Sequence, residues 1–213
     1  MIDFERNPQR IQQRSFEIVR KQVRMDHLSK LEQQIAVRMI YACGDPSIID
    51  DLQFSKGAAK AGLKALEKQM HVLCDVNLVI APLNKKLLPH PPLCFINEPQ
   101  VAIEAKQKSH TRSMVAVDYW QPYINQSIVL IGNAPTALFR LMELLEQKEI
   151  NRPALIIAMP VGYTGAAESK QYLWEHYQSL GVECIALLGT RGSSALAATA
   201  MNALLSYYHE VTF

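Results

Sequence analysis

The 213-residue sequence lacks the marks of several common protein classes. It has four cysteines, with no Cys-x-x-Cys pair and no histidine at metal-ligand spacing, so neither a zinc site nor a disulfide framework is indicated. The cysteines are therefore expected to be small buried hydrophobes in a reducing compartment. Lys and Arg number 22 against 20 Asp and Glu, a balance that predicts binding to neither nucleic acid nor a membrane surface.

Long apolar runs and targeting segments are also missing. No stretch approaches the roughly 20 apolar residues that a membrane span requires. The opening residues, Met-Ile-Asp-Phe-Glu-Arg, lack the apolar segment of a signal peptide, so a cytoplasmic protein is expected. With 49% hydrophobic and 20% charged residues, the composition is typical of a globular protein, and we expect one domain spanning 1–213.

The common catalytic and nucleotide motifs are absent as well. The sequence contains no Gly-Lys-Ser/Thr phosphate loop and no Gly-x-Gly-x-x-Gly fingerprint. It also contains no Gly-x-Ser-x-Gly elbow and no His-Glu-x-x-His zinc motif. No metal and no cofactor is therefore implied by the residues.

The N-terminal half is predicted to be mainly helical. Pro8 is well placed to open a first helix, and further helices are predicted over about 31–43 and 56–69. Residues 71–80 resemble a short buried strand that runs into a polar turn. Residues 81–98 carry four prolines and are expected to form an irregular segment, either a loop over the site or a dimer contact.

The C-terminal half repeats one pattern three times: an apolar run, a glycine-containing polar loop and a helix. The runs, loops and helices are predicted at 127–131, 132–136 and 137–149, at 154–159, 160–165 and 166–179, and at 184–188, 189–194 and 195–208. Strands that are apolar at every position and alternate with helices predict an α/β fold with a mostly parallel sheet covered on both faces. Right-handed crossovers would place all three loops at one edge of that sheet.

That edge is the predicted binding site. Each loop precedes a helix whose first backbone amides lack internal partners and whose dipole favours negative charge. Three such ends side by side suit a ligand that carries several carboxylates or phosphates. The candidates in these loops are Gly132, Asn133, Thr136, Gly162, Gly165, Arg191, Gly192 and Ser193. The alternative is that each loop is only a capping turn.

Charged side chains near the loops have two interpretations each. Arg191, flanked by glycines and hydroxyls, is a candidate carboxylate clamp, because a guanidinium group pairs with a carboxylate through two hydrogen bonds; otherwise it is a surface arginine. Glu168 and Lys170 are expected to lie in a solvated first helical turn. Asp75 follows an apolar run and either anchors a loop through backbone amides or contacts a ligand.

The segment from Ser109 to Ser113 concentrates hydrogen-bond donors before a helix-like stretch. His110 is a candidate general acid, because the pKa of histidine lies near neutrality. Arg112, flanked by Thr111 and Ser113, is favoured over His110 as a site residue.

Taken together, these residues resemble the precorrin-8X methylmutase family. The similarity is strongest in Ile-Gly-Asn-Ala-Pro-Thr-Ala-Leu-Phe (131–139), Met-Pro-Val-Gly-Tyr-Thr-Gly-Ala-Ala-Glu-Ser-Lys (159–170) and Gly-Thr-Arg-Gly-Ser-Ser-Ala (189–195), with weaker matches at 14–16, 37–44, 73–75 and 111–113. Three long loops in the same order make a chance match improbable.

The resemblance implies a homodimer around a mostly parallel sheet, with a tetrapyrrole bound near the subunit interface. The implied reaction moves a methyl group from C-11 to C-12 of precorrin-8X or cobalt-precorrin-8, giving hydrogenobyrinate or cobyrinate, without an organic cofactor. It also implies that Ser15, Asp75, Thr111 and Ser113 contact the substrate. The acetate and propionate groups of such a substrate would explain why the three loops, Arg112 and Arg191 face one pocket.

The sequence departs from the family pattern at the expected proton donor. The family usually has histidine in the stretch matched by 37–44, where this chain has Tyr41, and Gln12 lies where a tyrosine often occurs. The unperturbed pKa of tyrosine is ~10 against ~6.5 for histidine, so tyrosine is the weaker acid. Tyr41 with Arg112 as the catalytic pair is the leading hypothesis. The alternative is a non-catalytic corrinoid-binding paralogue, and a phosphate-ligand enzyme is a third hypothesis.

Overall fold

The structure is a computed structural model, and it describes residues 4–210. Its α-helices are α1 (Pro8–Gln22), α2 (Lys30–Cys43), α3 (Ala58–Glu67), α4 (Asn77–Ile80), α5 (Pro99–Lys108), α6 (Arg112–Asp118), α7 (Pro135–Glu146), α8 (Ala166–Leu180) and α9 (Ser194–Tyr208). The strands are β1 (Leu52–Phe54), β2 (Val72–Cys74), β3 (Ile128–Ile131), β4 (Leu155–Ala158) and β5 (Glu183–Leu187). A short 3-10 helix covers Pro46–Asp50. Residues 1–3 and 211–213 of the expected 1–213 domain lie outside the described part.

The strands form a single five-stranded sheet in the order β1-β5-β4-β3-β2. β2, β3, β4 and β5 are parallel to one another, whereas β1 pairs with β5 in the antiparallel direction. The expected mostly parallel α/β sheet is therefore confirmed. Since the four parallel strands run the same way, the loops after β2, β3, β4 and β5 all leave the sheet at its carboxyl edge.

Helices cover both faces of the sheet because the strands are apolar at successive positions. Alternate side chains of the parallel strands enter two separate cores. On one face Ile128, Ile157 and Ile185 join a core that includes residues of α2, α3 and α9. On the other face Val129 and Ile156 join a core with residues of α7 and α8. The sheet is thus a rigid platform for its loops.

The ends of the first two helices are set by the capping residues beside them. Asn7 caps α1 by accepting the N–H groups of Gln9 and Arg10, and Pro8 occupies the first turn as expected. Ser29 and Glu32 form a reciprocal capping box at the start of α2. α2 ends at Gly44, whose φ of 69° gives the left-handed conformation that such an end needs.

Some sequence expectations are wrong in the N-terminal half. The predicted strand over 71–80 is only three residues long, and Asn77–Ile80 is a turn of helix instead. β1 and α5 had no counterpart in the prediction. Cys43 is exposed and Cys94 is half-buried, so only Cys74 and Cys184 are the buried thiols that were expected. Among residues 4–210, no helix has both the length and the hydropathy to cross a bilayer.

Candidate functional site

The three glycine loops meet one another at the carboxyl edge of the sheet. The Gly162 N–H in the β4–α8 loop donates to the Thr190 carbonyl oxygen in the β5–α9 loop at 3.1 Å. A Cβ added to Gly192 would lie 2.3 Å from the Met159 carbonyl oxygen, so only glycine allows these two loops to approach so closely. A Cβ on Gly132 would lie 2.6 Å from the Cα of Ser194. The predicted convergence of the loops is confirmed.

A cleft of about 430 Å³ opens between two of these loops and the end of α2. Four predicted site residues line it: Gly162, Arg191, Gly192 and Ser193. The others that line it were not predicted: Cys43, Asp45, Ile48, Val161, Tyr163, Leu187, Thr190 and Leu196. Its walls therefore combine backbone amides and hydroxyls with apolar side chains, a mixture suited to an apolar ring with polar arms.

Arg191 is bound to the protein's own acids. Its four terminal N–H donors reach the carboxylates of Asp45 and Asp51 and the hydroxyl and carbonyl oxygens of Ser47, at 2.6 to 3.1 Å. The hydrogen bond and charge of Asp51 raise the pKa of the guanidinium, whereas hydrogen bonds from Ser47 lower the pKa of Asp45. Arg191 thus ties the β5–α9 loop to the segment after α2, and its role as a carboxylate clamp stays a prediction.

Asp75 is fully buried and anchors the β3–α7 loop. Its carboxylate oxygens accept the backbone N–H groups of Gly132, Asn133 and Ala134 at 2.8 to 3.0 Å. Burial raises the pKa of Asp75, and these three donors oppose the rise. Of its two proposed roles, the structure shows the anchor. Because this carboxylate uses the amides of Gly132 and Asn133, they are not open to a ligand.

Lys170 contradicts the expectation of a solvated first turn. The side chain is fully buried, and its Nζ donates to the Arg191 carbonyl oxygen at 2.5 Å. Burial lowers the pKa of Lys170 to about 8, against a smaller opposite effect from the charge of Asp51. Glu168 is exposed, as expected. The signal that was missed is helical spacing, because residue 170 lies on the same face of α8 as the buried Ala166 and Leu173.

Tyr41 lies near the C-terminal end of α2, two residues before the cleft-lining Cys43. Its ring packs edge-on against Phe16 of α1, with centroids 5.5 Å apart, and its side chain remains 45% exposed. The neighbouring Ser15 is half-buried and donates its hydroxyl proton to the Ile11 carbonyl oxygen at 2.7 Å. Tyr41 thus lies at the α1–α2 contact, and Ser15 precedes its ring partner Phe16 on α1.

Thr111 connects the start of α6 to the β3–α7 loop. Its Oγ1 accepts the Met114 N–H at 3.2 Å and is hydrogen-bonded to the Oγ1 of Thr136 at 2.7 Å. Arg112 is exposed and makes no ion pair within residues 4–210. Ser113 is buried at the start of α6. Arg112 is therefore a cation that remains available at this edge.

Gly165 lies where the second loop enters α8. A Cβ added there would be 3.3 Å from Phe139 and 3.4 Å from Pro135, both on α7. Among the predicted residues, Gly162, Arg191, Gly192 and Ser193 share the cleft, Asp75 holds Gly132 and Asn133, and Thr111 pairs with Thr136, whereas Tyr41 and Ser15 lie outside the cleft lining. Within the described chain, no group of three or more His, Cys, Asp or Glu side chains has the arrangement of a metal site.

Comparison with known proteins gives consistent relatives. Residues 10–207 match the family model described as precorrin-8X methylmutase. The chain is 42% identical over 206 residues to the precorrin-8X methylmutase of Pseudomonas aeruginosa, covering 96% of this chain and 98% of the relative. It is 32% identical over 203 residues to the cobalt-precorrin-8 methylmutase of Methanocaldococcus jannaschii, covering 92% of each.

A solved structure agrees with these relatives. The crystal structure of precorrin-8X methylmutase from Thermus thermophilus superposes with a TM-score of 0.84 at 32% identity, covering 95% of this chain and 97% of that one. Nothing in these comparisons supports a non-catalytic corrinoid-binding paralogue. The chain therefore belongs to the precorrin-8X methylmutase family, which are isomerases of cobalamin biosynthesis.

Proposed function

We propose that the protein moves a methyl group from C-11 to C-12 of precorrin-8X and releases hydrogenobyrinate. The observation that carries the proposal is the meeting of the β4–α8 and β5–α9 loops around one cleft, within a chain of this family. The metal-free substrate is preferred over cobalt-precorrin-8, which would give cobyrinate, because identity is 42% to the relative named for precorrin-8X and 32% to the one named for the cobalt form.

The cleft would hold one edge of the macrocycle. Amides and hydroxyls of the β5–α9 loop, including Gly192 and Ser193, would bind acetate or propionate groups, and Gly162 and Gly165 would leave the β4–α8 backbone open to the ring. Arg112 would pair with a further carboxylate, since it has no acidic partner in the described chain.

Tyr41 would assist the rearrangement by donating a hydrogen bond or proton to the ring. The reaction is intramolecular, so the enzyme acts by holding one geometry of the ring and by stabilising the charge that develops as the methyl group moves. Tyr41 is suited to this because its hydroxyl is carried on a ring that is packed on one side and exposed on the other. Ser15, on the adjacent helix, would orient the same part of the substrate.

A second subunit would complete the site. A cleft of about 430 Å³ is small for a tetrapyrrole with all its arms, and Tyr163 and Val161 at its rim are 95% and 43% exposed. Exposed apolar side chains beside a binding cleft favour coverage by ligand or by another chain. We therefore propose a homodimer that encloses the macrocycle.

The test is direct conversion. Purified protein is mixed with precorrin-8X and separately with cobalt-precorrin-8, and the visible spectrum is followed at equal enzyme concentration. Conversion of precorrin-8X to hydrogenobyrinate, faster than conversion of the cobalt form, supports the proposal. Binding of hydrogenobyrinate without any turnover, under conditions where a histidine-bearing relative is active, would refute it.

A further inference from the structure

The buried Lys170 is a charged group that the proposed mechanism does not use. A lysine with no exposed surface is uncommon, because burying an ammonium group without a partner is costly. Its hydrogen-bond partner is the carbonyl oxygen of Arg191, a neutral backbone group in the loop that lines the cleft. Met at this position would bury the same face of α8 without that cost, so packing alone does not account for a lysine.

The geometry of one peptide unit suggests what the lysine does. In a trans peptide the carbonyl oxygen of one residue and the N–H of the next point in opposite directions. Since the Arg191 oxygen faces inward to the Lys170 ammonium group, the Gly192 N–H is directed away from it. Gly192 lines the cleft, and its N–H has no hydrogen-bond partner within residues 4–210.

The loop is also held against rotation from its other sides. The Arg191 side chain is fixed by Asp45, Ser47 and Asp51, and Gly192 lies against the backbone of Met159. A peptide held in this way presents its N–H without reorganisation, which is the arrangement that best stabilises an anion. The ammonium charge behind the peptide adds a positive potential in the same direction.

We propose that Lys170 is a positioning residue that fixes the Arg191–Gly192 peptide so that the Gly192 N–H binds a substrate carboxylate in the cleft. The inference rests on the proposed function, which supplies the carboxylate. Lys170 does not touch the substrate; it acts through the peptide bond between the two loop residues.

The decisive experiment compares two ligands that have the same corrin ring and differ in the charge of its side chains. Hydrogenobyrinic acid carries carboxylates, and the same ring with its carboxylates converted to carboxamides is neutral. Lys170→Met is expected to weaken binding of the acid about tenfold, or ~1.4 kcal/mol, and to change binding of the carboxamide form less than about twofold. The matched control is Lys68→Met, which removes a lysine at the amino edge of the sheet and leaves both affinities unchanged.

A pH profile separates positioning from simple support of the fold. Burial lowers the pKa of Lys170 to about 8, and the charge of Asp51 opposes this shift. Asp51 and Asp45 are both ion-paired with the Arg191 guanidinium. Carboxylates of the ligand stay ionised above pH 6. Wild-type affinity for the acid should therefore fall as the pH rises from 7 to 9, and that dependence should vanish in Lys170→Met. Equal weakening of both ligands, or an unchanged pH profile, overturns the inference.

Two further measurements keep the outcomes distinct. If Lys170→Met does not fold, Lys170→Arg retains a cation and should retain the preference for the acid over the carboxamide form; loss of that preference overturns the inference. Without ligand, the backbone amide resonance of Gly192 should shift between wild type and Lys170→Met and stay close to wild type in Lys170→Arg; a resonance that is the same in wild type and Lys170→Met overturns the inference. Failure of the proposed function gives a different result. The wild-type protein would then neither bind nor convert precorrin-8X, while the Gly192 amide resonance would still depend on residue 170, so the positioning of the peptide would stand.

Discussion

The carboxylate of Asp75 accepts the backbone N–H of Ala134 at 2.8 Å, so the residue after β2 fixes the loop after β3. The same carboxylate accepts two further amides from that loop, those of Gly132 and Asn133. One buried side chain therefore supplies the hydrogen-bond partners of three successive amides in the loop before α7. This loop is held by the protein itself, which is why the other two glycine loops are the ones proposed to bind the substrate.

Asp75→Asn should destabilise the protein by about 3 kcal/mol. The amide retains one acceptor oxygen and places an NH₂ group against backbone N–H donors, so buried donors lose their partners. Urea unfolding of the two proteins measures the difference. The control is Asp26→Asn, an exposed aspartate whose replacement should change the free energy of unfolding by less than about 0.5 kcal/mol. Equal effects for the two variants would contradict the anchoring role.

Substitution of Asp51 tests whether Arg191 anchors the β5–α9 loop or binds a substrate carboxylate. If Arg191 positions the β5–α9 loop, Asp51→Asn should lower kcat/KM about tenfold, because the loop loses one of its fixed contacts. If Arg191 instead binds substrate, the same change frees the guanidinium and should tighten binding of hydrogenobyrinate. Arg191→Lys should also lower kcat/KM, since an ammonium group cannot reach three residues at once.

The matched control for these variants is Arg152→Lys, which changes an exposed arginine before β4 at the opposite edge of the sheet. It should leave kcat/KM unchanged. Tighter product binding in Asp51→Asn would restore the clamp interpretation that the hydrogen bonds of Arg191 argue against.

Two substitutions of Tyr41 test whether its hydroxyl is the hydrogen-bond or proton donor to the ring. Tyr41→Phe keeps the ring against Phe16 but removes the hydroxyl, so kcat should fall by a factor of about 100 with little change in stability. Tyr41→His supplies a stronger acid and should raise kcat at pH 6, with a decline toward pH 8 that the wild type lacks. Steady-state kinetics across pH 5 to 9 measures both. An unchanged kcat in Tyr41→Phe would exclude the hydroxyl from the reaction.

The C-terminal half could be predicted from the sequence because its strands are apolar at every position. Ile128–Ile131 and Leu155–Ala158 are buried on both faces, and such runs between helices have few alternatives to a parallel sheet. β1 could not be predicted, since three residues of mixed polarity carry no periodic signal and pair with β5 more than 130 residues later. α4 lies in an apolar stretch that favours strand and helix equally.

The meeting of the glycine loops could be predicted from the sequence, whereas the contacts of the charged side chains around them could not. The glycine loops follow directly from the strand–loop–helix order, which fixes where they meet. The partners of Arg191 lie 140 to 146 residues away in sequence, so no local pattern reveals that its charge is already paired. Helical spacing alone would have placed Lys170 inward, but a lysine is ordinarily assigned to solvent.

Gly192→Ala should damage the site more than Gly189→Ala. The first change places a methyl group 2.3 Å from the Met159 carbonyl oxygen, so the β5–α9 loop must move away from the β4–α8 loop. We expect a loss of about 3 kcal/mol in stability together with a marked loss of kcat/KM. At Gly189, whose φ is 74°, the added methyl group meets open space, and only backbone strain of about 1 kcal/mol is expected. Thermal unfolding and kinetics of both variants decide whether close loop packing matters.

Cys43 provides a label for the cleft. It is the exposed thiol of the four, whereas burial raises the pKa of Cys184 to about 12 and raises the pKa of Cys74 well above its ordinary value. Because the thiolate is the reactive form, iodoacetamide at pH 8 should modify Cys43 first and leave both buried thiols intact until the protein unfolds.

Bound product should slow that modification. Cys43 lines the cleft beside Asp45, so hydrogenobyrinate in the proposed position covers the thiol and should lower its alkylation rate at least tenfold, as read by mass spectrometry of the peptide that contains it. Cys94, half-buried and outside the cleft lining, is the internal reference and should react at the same slow rate with and without ligand. A ligand bound between the β4–α8 and β5–α9 loops cannot leave the Cys43 thiol open to iodoacetamide. If Cys43 is alkylated at an unchanged rate when the protein is saturated with product, the macrocycle therefore binds elsewhere on the molecule.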